Sequence, residues 1–325
     1  MRLSIFPLAL SAVLFGPLAF GEVAVKELAN KIRVTIDGEL FTEFRHGDAP
    51  HVYYYPVLGP GGVSLTRSWP MQNPPDEEHD HLHHRSMWFS HGLVNGVDFW
   101  TEQAPGKGEA KNSLGKIVFE KVLEAKSGAD AGVLTTLQKW VAPDGSIPVT
   151  STQTLRVYQR PKNERLFDFE VTLTAGDKDV VFGDTKEGTF GIRLAESMRL
   201  KQPKAPGNGH ILNSEGLRDE KVWGQHAKWV DMSGPADGKT YGVAIFDHPS
   251  NLRHPTRWHA RDYGLFAANP FCEVEMDKTQ PKGAGDYKLA AGKSVIFKYR
   301  VLLHEGDGDA DKLAERFDEY AKTVH

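Results

Sequence analysis

The sequence predicts an all-β fold, a large antiparallel β-sandwich with one helix at the C-terminal end. Three observations predict it: many short runs alternate apolar and polar residues with a period of two, Gly, Pro, Asn and Asp turns separate these runs, and almost no helical periodicity lies between them. This pattern favours antiparallel sheets over βαβ units. With 325 residues, 40% of them hydrophobic and 25% charged, the chain can bury a sizeable core.

The predicted strands follow one another from residue 31 onwards. Residues 31–36 lead into an Asp-Gly turn that is typical of a hairpin. Residues 64–80 have no clear period and are rich in Pro, Asn, Asp and Glu, so we expect a long ordered loop there. The alternating pattern predicts the other strands at residues 40–44, 51–58, 117–122, 133–141, 149–158, 167–173 and 295–303.

One helix is predicted after the last strand. The Asp-rich residues 307–311 can cap its first turn. Its apolar positions recur at spacings of three and four: Leu313, Phe317, Tyr320 and Val324. Since the sequence has no low-complexity linker and no fixed repeat, we expect residues 22–325 to form a single β-sandwich domain.

The first 21 residues have the architecture of a secretory signal peptide. Arg2 precedes an apolar run over residues 3–20, which two prolines interrupt and which ends in small residues. Cleavage after Gly21 would leave a mature chain that begins at Glu22 in the periplasm or outside the cell. An uncleaved anchor is the alternative, which the short run and its prolines disfavour.

Charge and cysteine content exclude several classes of protein. The net charge of −4 provides no basic surface, so we expect no nucleic-acid partner. No apolar run after residue 20 is long enough to span a bilayer, so we expect no membrane span in the mature chain. Cys272 is the only cysteine, which excludes an intrachain disulfide, a thiolate zinc site and a cysteine-pair redox site.

Polar groups are concentrated among aromatic residues in three stretches, of which residues 79–100 are the first. This stretch contains five of the fourteen histidines. His84 and His91 are candidate proton-transfer groups, because imidazole titrates near neutral pH. An indole can cover the apolar face of a sugar while polar groups bind its hydroxyls. The stretch therefore contains four candidate substrate contacts: Arg85, Trp88, Asn95 and Asp98. The alternative for Trp88 is that its side chain belongs to the core.

The histidines of the first stretch could also bind a divalent metal ion. In an extended chain His79, His81 and His83 would lie on one face and His84 on the other. His81 and His83 are the candidate ligands, since neutral imidazole suits first-row metals. The alternative is that these side chains are solvated or hydrogen-bonded residues of a loop.

The second stretch, residues 182–193, places charged groups between glycine bends. Glu187 is a candidate acid or base, and Asp184 and Lys186 are candidate substrate contacts. The alternative is a charged hairpin tip in which Lys186 neutralises its neighbours.

The third stretch, residues 246–270, contains an arginine- and histidine-rich strand. Arg257, His259 and Arg261 would share one face of it, where arginine suits a carboxylate or a group of hydroxyls. The alternative is an ion-paired exterior strand. The candidate substrate contacts of this stretch are His248, Arg257, His259 and Tyr263. We expect all three stretches to line one cleft, because buried polar groups pair with one another or with a ligand.

The three motifs together, at residues 83–100, 182–188 and 247–271, resemble a bacterial family of unknown function. Members of that family are often labelled methane oxygenase subunits. At the level of the fold, the chain resembles the wide, supersandwich-like β-sandwich of galactose-mutarotase-like proteins. Sites of such proteins use histidines and acidic residues on sugars, so the resemblance implies a similar site here.

These expectations favour an exported carbohydrate-active enzyme. It would act on a sugar or a sugar derivative by acid-base chemistry of histidine and carboxylate side chains, as an epimerase, a lyase or a hydrolase. The ligand would be a small molecule or an oligosaccharide. The alternatives are a non-catalytic carbohydrate-binding protein and a metal-dependent oxidoreductase, for which a divalent metal ion would be the cofactor.

Overall fold

The alternating runs of the sequence form β-strands. The computed structural model of the protein describes residues 21–103, 113–203 and 205–323. The strands, numbered in chain order, are β1 (Val23–Leu28), β2 (Lys31–Ile36), β3 (Glu39–Arg45), β4 (Tyr53–Val57), β5 (Met87–His91), β6 (Val97–Asp98), β7 (Ser113–Leu114), β8 (Lys116–Lys126), β9 (Ala131–Val141), β10 (Val149–Tyr158), β11 (Glu164–Ala175), β12 (Val180–Phe182), β13 (Gly188–Arg193), β14 (Lys201–Gln202), β15 (Ala205–Pro206), β16 (His210–Asn213), β17 (Trp229–Ala236), β18 (Lys239–Asp247), β19 (Arg257–Ala260), β20 (Leu265–Asn269), β21 (Tyr287–Leu289) and β22 (Ser294–Glu305).

Two eight-stranded sheets dominate the fold. The first sheet has the order β1-β2-β3-β4-β5-β13-β20-β19, and the second has the order β16-β17-β18-β22-β11-β10-β9-β8. Every pairing within these two sheets is antiparallel. The predicted large antiparallel β-sandwich is therefore confirmed.

The core lies between the two sheets and follows from the alternation of side chains. On β11, Phe167, Phe169, Val171 and Leu173 are completely buried, as the sequence predicted. Full burial of each such side chain stabilises the fold by roughly 1.5–3 kcal/mol. The first sheet is apolar on both faces in its centre. Residues that alternate with its core positions form a second apolar group on the outer face, where Trp100 packs with them: Tyr53, Tyr55, Trp88, Leu265 and Ala267.

The C-terminal helix, α1 (Ala310–Ala321), covers the outer face of the second sheet. The side chain of Asp309 accepts hydrogen bonds from the backbone N–H groups of Asp311 and Lys312, which caps the first turn. Its apolar side chains pack on residues of the second sheet: Leu313, Phe317 and Tyr320. The predicted helix is confirmed, while Val324 lies outside the described residues.

Residues 1–20 also lie outside the described residues, so the signal peptide remains a prediction. Within the ranges that the structure describes, no helix is long and apolar enough to cross a membrane.

The chain directly before β5 is not extended, so the loop alternative describes its histidines. Residues 81–86 turn instead: the N–H of His84 donates to the carbonyl of His81 and the N–H of Arg85 to that of His83, each over 3.0 Å. His81 has φ +37° and Ser86 has φ +61°. The cause is not local, because Arg67 holds the carbonyl of His81 at 3.1 Å from within the preceding loop. The turn gathers the imidazoles instead of placing them on opposite faces.

Candidate active site

The candidate site lies on the outer face of the first sheet, opposite the core. One row of directly paired residues crosses four strands there and consists of Trp88, Gly191, Ala267 and His259. The two small residues leave room for the indoles that lie over them. A Cβ on Gly191 would stand 3.0 Å from Trp88 Cζ2, so this position has no space for a side chain.

Two buried arginines fix the loop that covers this face. Arg67 and Arg193 are both completely buried, and Asp80 binds both of them, with 3.4 Å from its Oδ1 to Arg193 Nη2. Burial and the charge of Arg67 lower the pKa of Arg193 to about 10. Burial raises the pKa of Asp80, but the hydrogen bond from His81 and the charges of both arginines outweigh it, so the pKa lies well below its usual value.

The ring of His84 lies at the centre of the cluster in a fixed tautomer. Its Nδ1 is 3.2 Å from Arg193 Nη1, and since guanidinium can only donate, Nδ1 accepts this hydrogen bond. Burial, reinforced by the neighbouring charges, holds the pKa of His84 well below its usual value. The neutral ring therefore carries its hydrogen on Nε2. His81 stacks on it at 4.6 Å between ring centroids and Trp88 at 5.4 Å.

The two candidate metal ligands both contact the ring of His84, at 4.6 Å between ring centroids for His81 and 4.5 Å for His83. His81 Nδ1 binds Asp80 Oδ2 at 2.5 Å, and His83 Nδ1 is buried with no hydrogen-bond partner among the described residues. Burial lowers the pKa of His83 to about 3. The rings of His81 and His83 meet edge to face at 5.7 Å. In the described ranges, no group of three or more His, Cys, Asp or Glu side chains could hold a metal ion.

Tyr263 joins the histidine cluster to the end of the sheet. Its ring stacks on His81 at 5.3 Å, and the guanidinium groups of Arg193 and Arg261 lie 4.8 and 5.2 Å from its centroid. Burial raises the pKa of Tyr263 to about 12, and the charge of Glu187 acts on it as well. All three predicted stretches therefore meet at Tyr263.

Glu187 immediately precedes β13 and remains accessible, with 32% of its side chain exposed. Its Oε1 lies 3.4 Å from Lys186 Nζ. Burial nevertheless raises the pKa of Glu187 above its usual value, and the charges of Glu275 and Asp98 act in the same direction. This carboxyl group can hold a proton at a higher pH than an ordinary glutamate.

His259 on β19 points the opposite way from Trp258 and is held by the neighbouring turn. Its Nδ1 donates to the carbonyl of Lys186 over 3.0 Å. Burial lowers the pKa of His259 to about 3, so the ring is neutral and its Nε2 has a free lone pair. Nε2 has no hydrogen-bond partner in the described part of the chain.

His91 does not join the cluster around His84. It is completely buried, its ring lies 5.0 Å from that of Phe271, and its Nε2 donates to the carbonyl of Gly183 over 2.8 Å. Burial lowers the pKa of His91 to about 4. A Cβ on Gly188 would stand 2.5 Å from Nδ1 of His91. The imidazole therefore supports the turn that leads into β13 from the inside.

Three other candidates of the first stretch have partners within the protein. Arg85 forms a two-pronged ion pair with Glu102 at 2.7 and 2.8 Å. Asn95 occupies a tight turn with φ +50°, and its Oδ1 accepts the N–H of Val181. Asp98 Oδ1 accepts the N–H groups of residues 100 and 101. Trp88 is 1% exposed, so its ring is covered by neighbouring side chains.

Three candidates of the later stretches also serve other contacts. Asp184 accepts four backbone hydrogen bonds from residues 273, 274 and 285, and thereby fixes the segment that follows β20. Arg257 binds Glu273 at 2.7 Å. His248 lies against the ring of Tyr320 in α1, on the second sheet.

The sequence did not single out four residues of the site: Arg67, Arg193, Glu196 and Arg199. Arg199 Nη1 binds Glu196 at 2.5 Å and Glu78 at 2.6 Å. Arg193 is the last residue of the second stretch, residues 182–193. Phe190 and Ile192 are apolar and two residues apart, which predicts that both face the core. The next residue, Arg193, must then lie on the outer face of the strand, and this parity could have identified it.

Comparison with known proteins gives one family and distant structural similarities. The chain matches the family of unknown function DUF6807 over residues 31–318. No curated protein sequence matches it. Among solved structures, it is similar to a polysaccharide lyase with 11% identity and a TM-score of 0.39, over 90% of this chain and 35% of the lyase. It is also similar to a putative aldose 1-epimerase from Klebsiella pneumoniae with 13% identity and a TM-score of 0.39, over 90% of this chain and 83% of the epimerase. A third similar structure is galactose 1-epimerase from Lactobacillus acidophilus with 8% identity and a TM-score of 0.40, over 88% of this chain and 98% of the epimerase. The chain thus spans about a third of the lyase's length. Scores this low carry no inference about activity.

Proposed function

Since the chain belongs to DUF6807, a family of unknown function, we propose its activity from its own side chains. It is an exported enzyme that acts on a sugar or a sugar derivative by acid-base chemistry on the outer face of the first sheet. Glu187 transfers the proton, and His259 is its partner. The names of the three similar structures all refer to carbohydrate chemistry, but the proposal rests on the site alone.

One observation carries the proposal: the peptide between Lys186 and Glu187 fixes both groups. The Lys186 carbonyl accepts the hydrogen bond that orients His259, and the next residue is the glutamate itself. Burial raises the pKa of Glu187, which favours its acid form, and lowers the pKa of His259, which keeps that ring neutral with an unprotonated Nε2. Two groups whose pKa values are shifted in opposite directions are typical of an acid-base pair.

The surroundings suit a carbohydrate ligand. His81, with 41% of its side chain exposed, and the half-buried Tyr263 present rings to the ligand side. Lys186 and Glu187 add charged groups that can bind hydroxyls. His84 lies behind His81 and holds this wall in place through Arg193.

The test compares Glu187→Gln with wild-type protein on a panel of sugars and oligosaccharides, with turnover followed by NMR. Loss of a proton-transfer group should lower kcat by roughly a hundredfold or more. Glu170→Gln is the matched control, because Glu170 has 36% of its side chain exposed and lies 3.9 Å from Lys298, but belongs to the second sheet. The protein should be isolated from the exported fraction, where we expect Glu22 at its N-terminus. Equal turnover by Glu187→Gln and wild type would contradict the assigned role, and an intact Met1 on cytoplasmic protein would contradict export.

A non-catalytic carbohydrate-binding protein is the second candidate. It is favoured by the lowered pKa values of His83 and His259, because a neutral imidazole can both donate and accept a hydrogen bond with a sugar hydroxyl. Sugar binding without turnover across the same panel would select it.

A further inference from the structure

Arg261 differs from the other buried or half-buried arginines of the described chain because its guanidinium has no hydrogen-bond or ion-pair partner there. Arg67, Arg193 and Arg199 all bind carboxylates in the same region. Arg156 also has no such partner in the described ranges, but it is exposed on β10, where water satisfies its donors. A guanidinium has five N–H donors, and those of Arg261 are available to a ligand.

The position of Arg261 is fixed although its charge is unpaired. Its N–H donates to the carbonyl of Leu265 over 2.8 Å, and its carbonyl accepts from Gly264 over 2.9 Å, which places it in the turn between β19 and β20. Its guanidinium lies 5.6 Å from the ring centroid of Trp223 and 5.2 Å from that of Tyr263. Two aromatic rings thus orient the group without neutralising it.

The nearby carboxylates leave this cation uncompensated. Glu220 and Asp262 line the hollow beside Arg261, but neither forms an ion pair with it. Asp262 lies 3.7 Å from Lys201, and Glu220 is exposed. Because Arg261 touches Tyr263, at which the three stretches meet, it lies at the edge of the proposed active site.

We propose that Arg261 binds the carboxylate of an acidic sugar, so that the substrates of this protein are uronates or oligosaccharides that contain them. This inference rests on the proposed function for the location of the site. A planar guanidinium can donate two parallel hydrogen bonds to a carboxylate, and a bond to a charged group is stronger than one to a neutral hydroxyl. A neutral sugar would leave the cation without its partner.

The test measures binding of galacturonate and glucuronate by calorimetry, beside their methyl esters and the neutral sugars galactose and glucose. The esters preserve the shape of the acids and remove the charge. Wild-type protein should bind an acid at least about tenfold more tightly than its ester, with a preference that weakens as salt is added. Arg261→Gln should abolish this preference and leave the binding of neutral sugars unchanged. Arg261→Lys should retain part of it, because lysine keeps the charge but loses the planar donor pair.

Arg156→Gln is the control, and the melting temperature of each variant verifies folding. Equal binding of acid and ester, no binding of either acid, or an equal loss for acids and neutral sugars in Arg261→Gln would overturn the inference.

The two proposals fail separately. Binding of uronates that depends on Arg261 without turnover contradicts the enzyme and supports the inference, whereas turnover of neutral sugars with no preference for acids does the reverse.

Discussion

Both sheets have polar groups buried on their outer faces, and the two faces differ in how these groups are paired. On the second sheet, Asp168 binds Arg300 at 2.6 and 2.8 Å, and Asp231 binds His304 Nε2 at 3.0 Å. On the first sheet, the buried atoms His83 Nδ1 and His259 Nε2 have no hydrogen-bond partners within the described ranges. An unsatisfied buried polar group costs about 1–3 kcal/mol, so a face that keeps several of them is the better candidate for a ligand site.

The largest expected effect is that of acidification on the free energy of unfolding, to which histidines of the two faces contribute with opposite signs. The pKa values of His83 and His259 are lowered to about 3, so they contribute stability that is present above the unfolded pKa near 6.5 and is lost as pH falls towards their folded values. We expect a loss of about 2–3 kcal/mol per imidazole between pH 6.5 and 4.5. Denaturant unfolding across this range measures it.

His304 on the second sheet provides the opposite sign. Burial lowers its pKa, but the hydrogen bond and charge of Asp231, 3.0 Å away, raise it above the usual value. The stability that His304 contributes is present below its pKa in the unfolded state, and it is lost as pH rises through its pKa in the folded state. The double variant His83→Gln, His259→Gln should therefore make the acid limb of the stability profile shallower, while the lowered pKa values of His84 and His91 maintain part of it. His304→Gln should not make it shallower. An unchanged acid limb in the double variant would contradict the assignment.

Replacement of His84 by Ala should have an intermediate effect and tests whether this residue is structural. The change removes the acceptor of Arg193 Nη1, which leaves a buried donor unpaired and costs about 1–3 kcal/mol. Chemical denaturation measures this cost, and turnover is measured on the same variant. A roughly hundredfold loss of turnover at unchanged stability would instead identify His84 as a proton-transfer group.

The smallest change in stability is expected for His259→Asn. An asparagine amide can replace the donor to the Lys186 carbonyl, while the free lone pair at Nε2 is lost. We expect less than about 1 kcal/mol of destabilisation together with loss of turnover. If stability falls by several kcal/mol and turnover remains, the imidazole belongs to the fold rather than to the site.

Most of the architecture followed from the sequence because alternation is a local signal. The strands around residues 149–158 and 167–173 and the helix with Leu313, Phe317 and Tyr320 all lie where the pattern predicted them. The same signal also contained the orientation of His91, since it follows Met87 and Phe89 with a period of two and therefore shares their inward face. This parity separates His91 from the histidines of the outer face.

The composition of the site was less accessible, because long-range contacts form it. Arg67 and Asp80 meet Arg193 across more than 100 residues, and His259 meets Lys186 across 73 residues. No periodicity encodes such a pair. Asp184 and Asn95 stand in polar stretches like those of a site, yet their side chains bind backbone N–H groups of their own surroundings. Only the folded chain separates these two uses of the same residue type.

Arg67 links two parts of the site that the chain supplies separately. His81 and His83 belong to a loop whose carbonyls this buried guanidinium holds, whereas Glu187 and His259 flank or lie within strands of the sheet. The loop can therefore change in sequence at residues 81 and 83, because Arg67, Arg193 and Asp80 keep it attached to the sheet. Such changes leave Glu187 and His259 in place. Related chains with the same three anchoring residues and different residues at 81 and 83 would then accept different ligands with one shared chemistry.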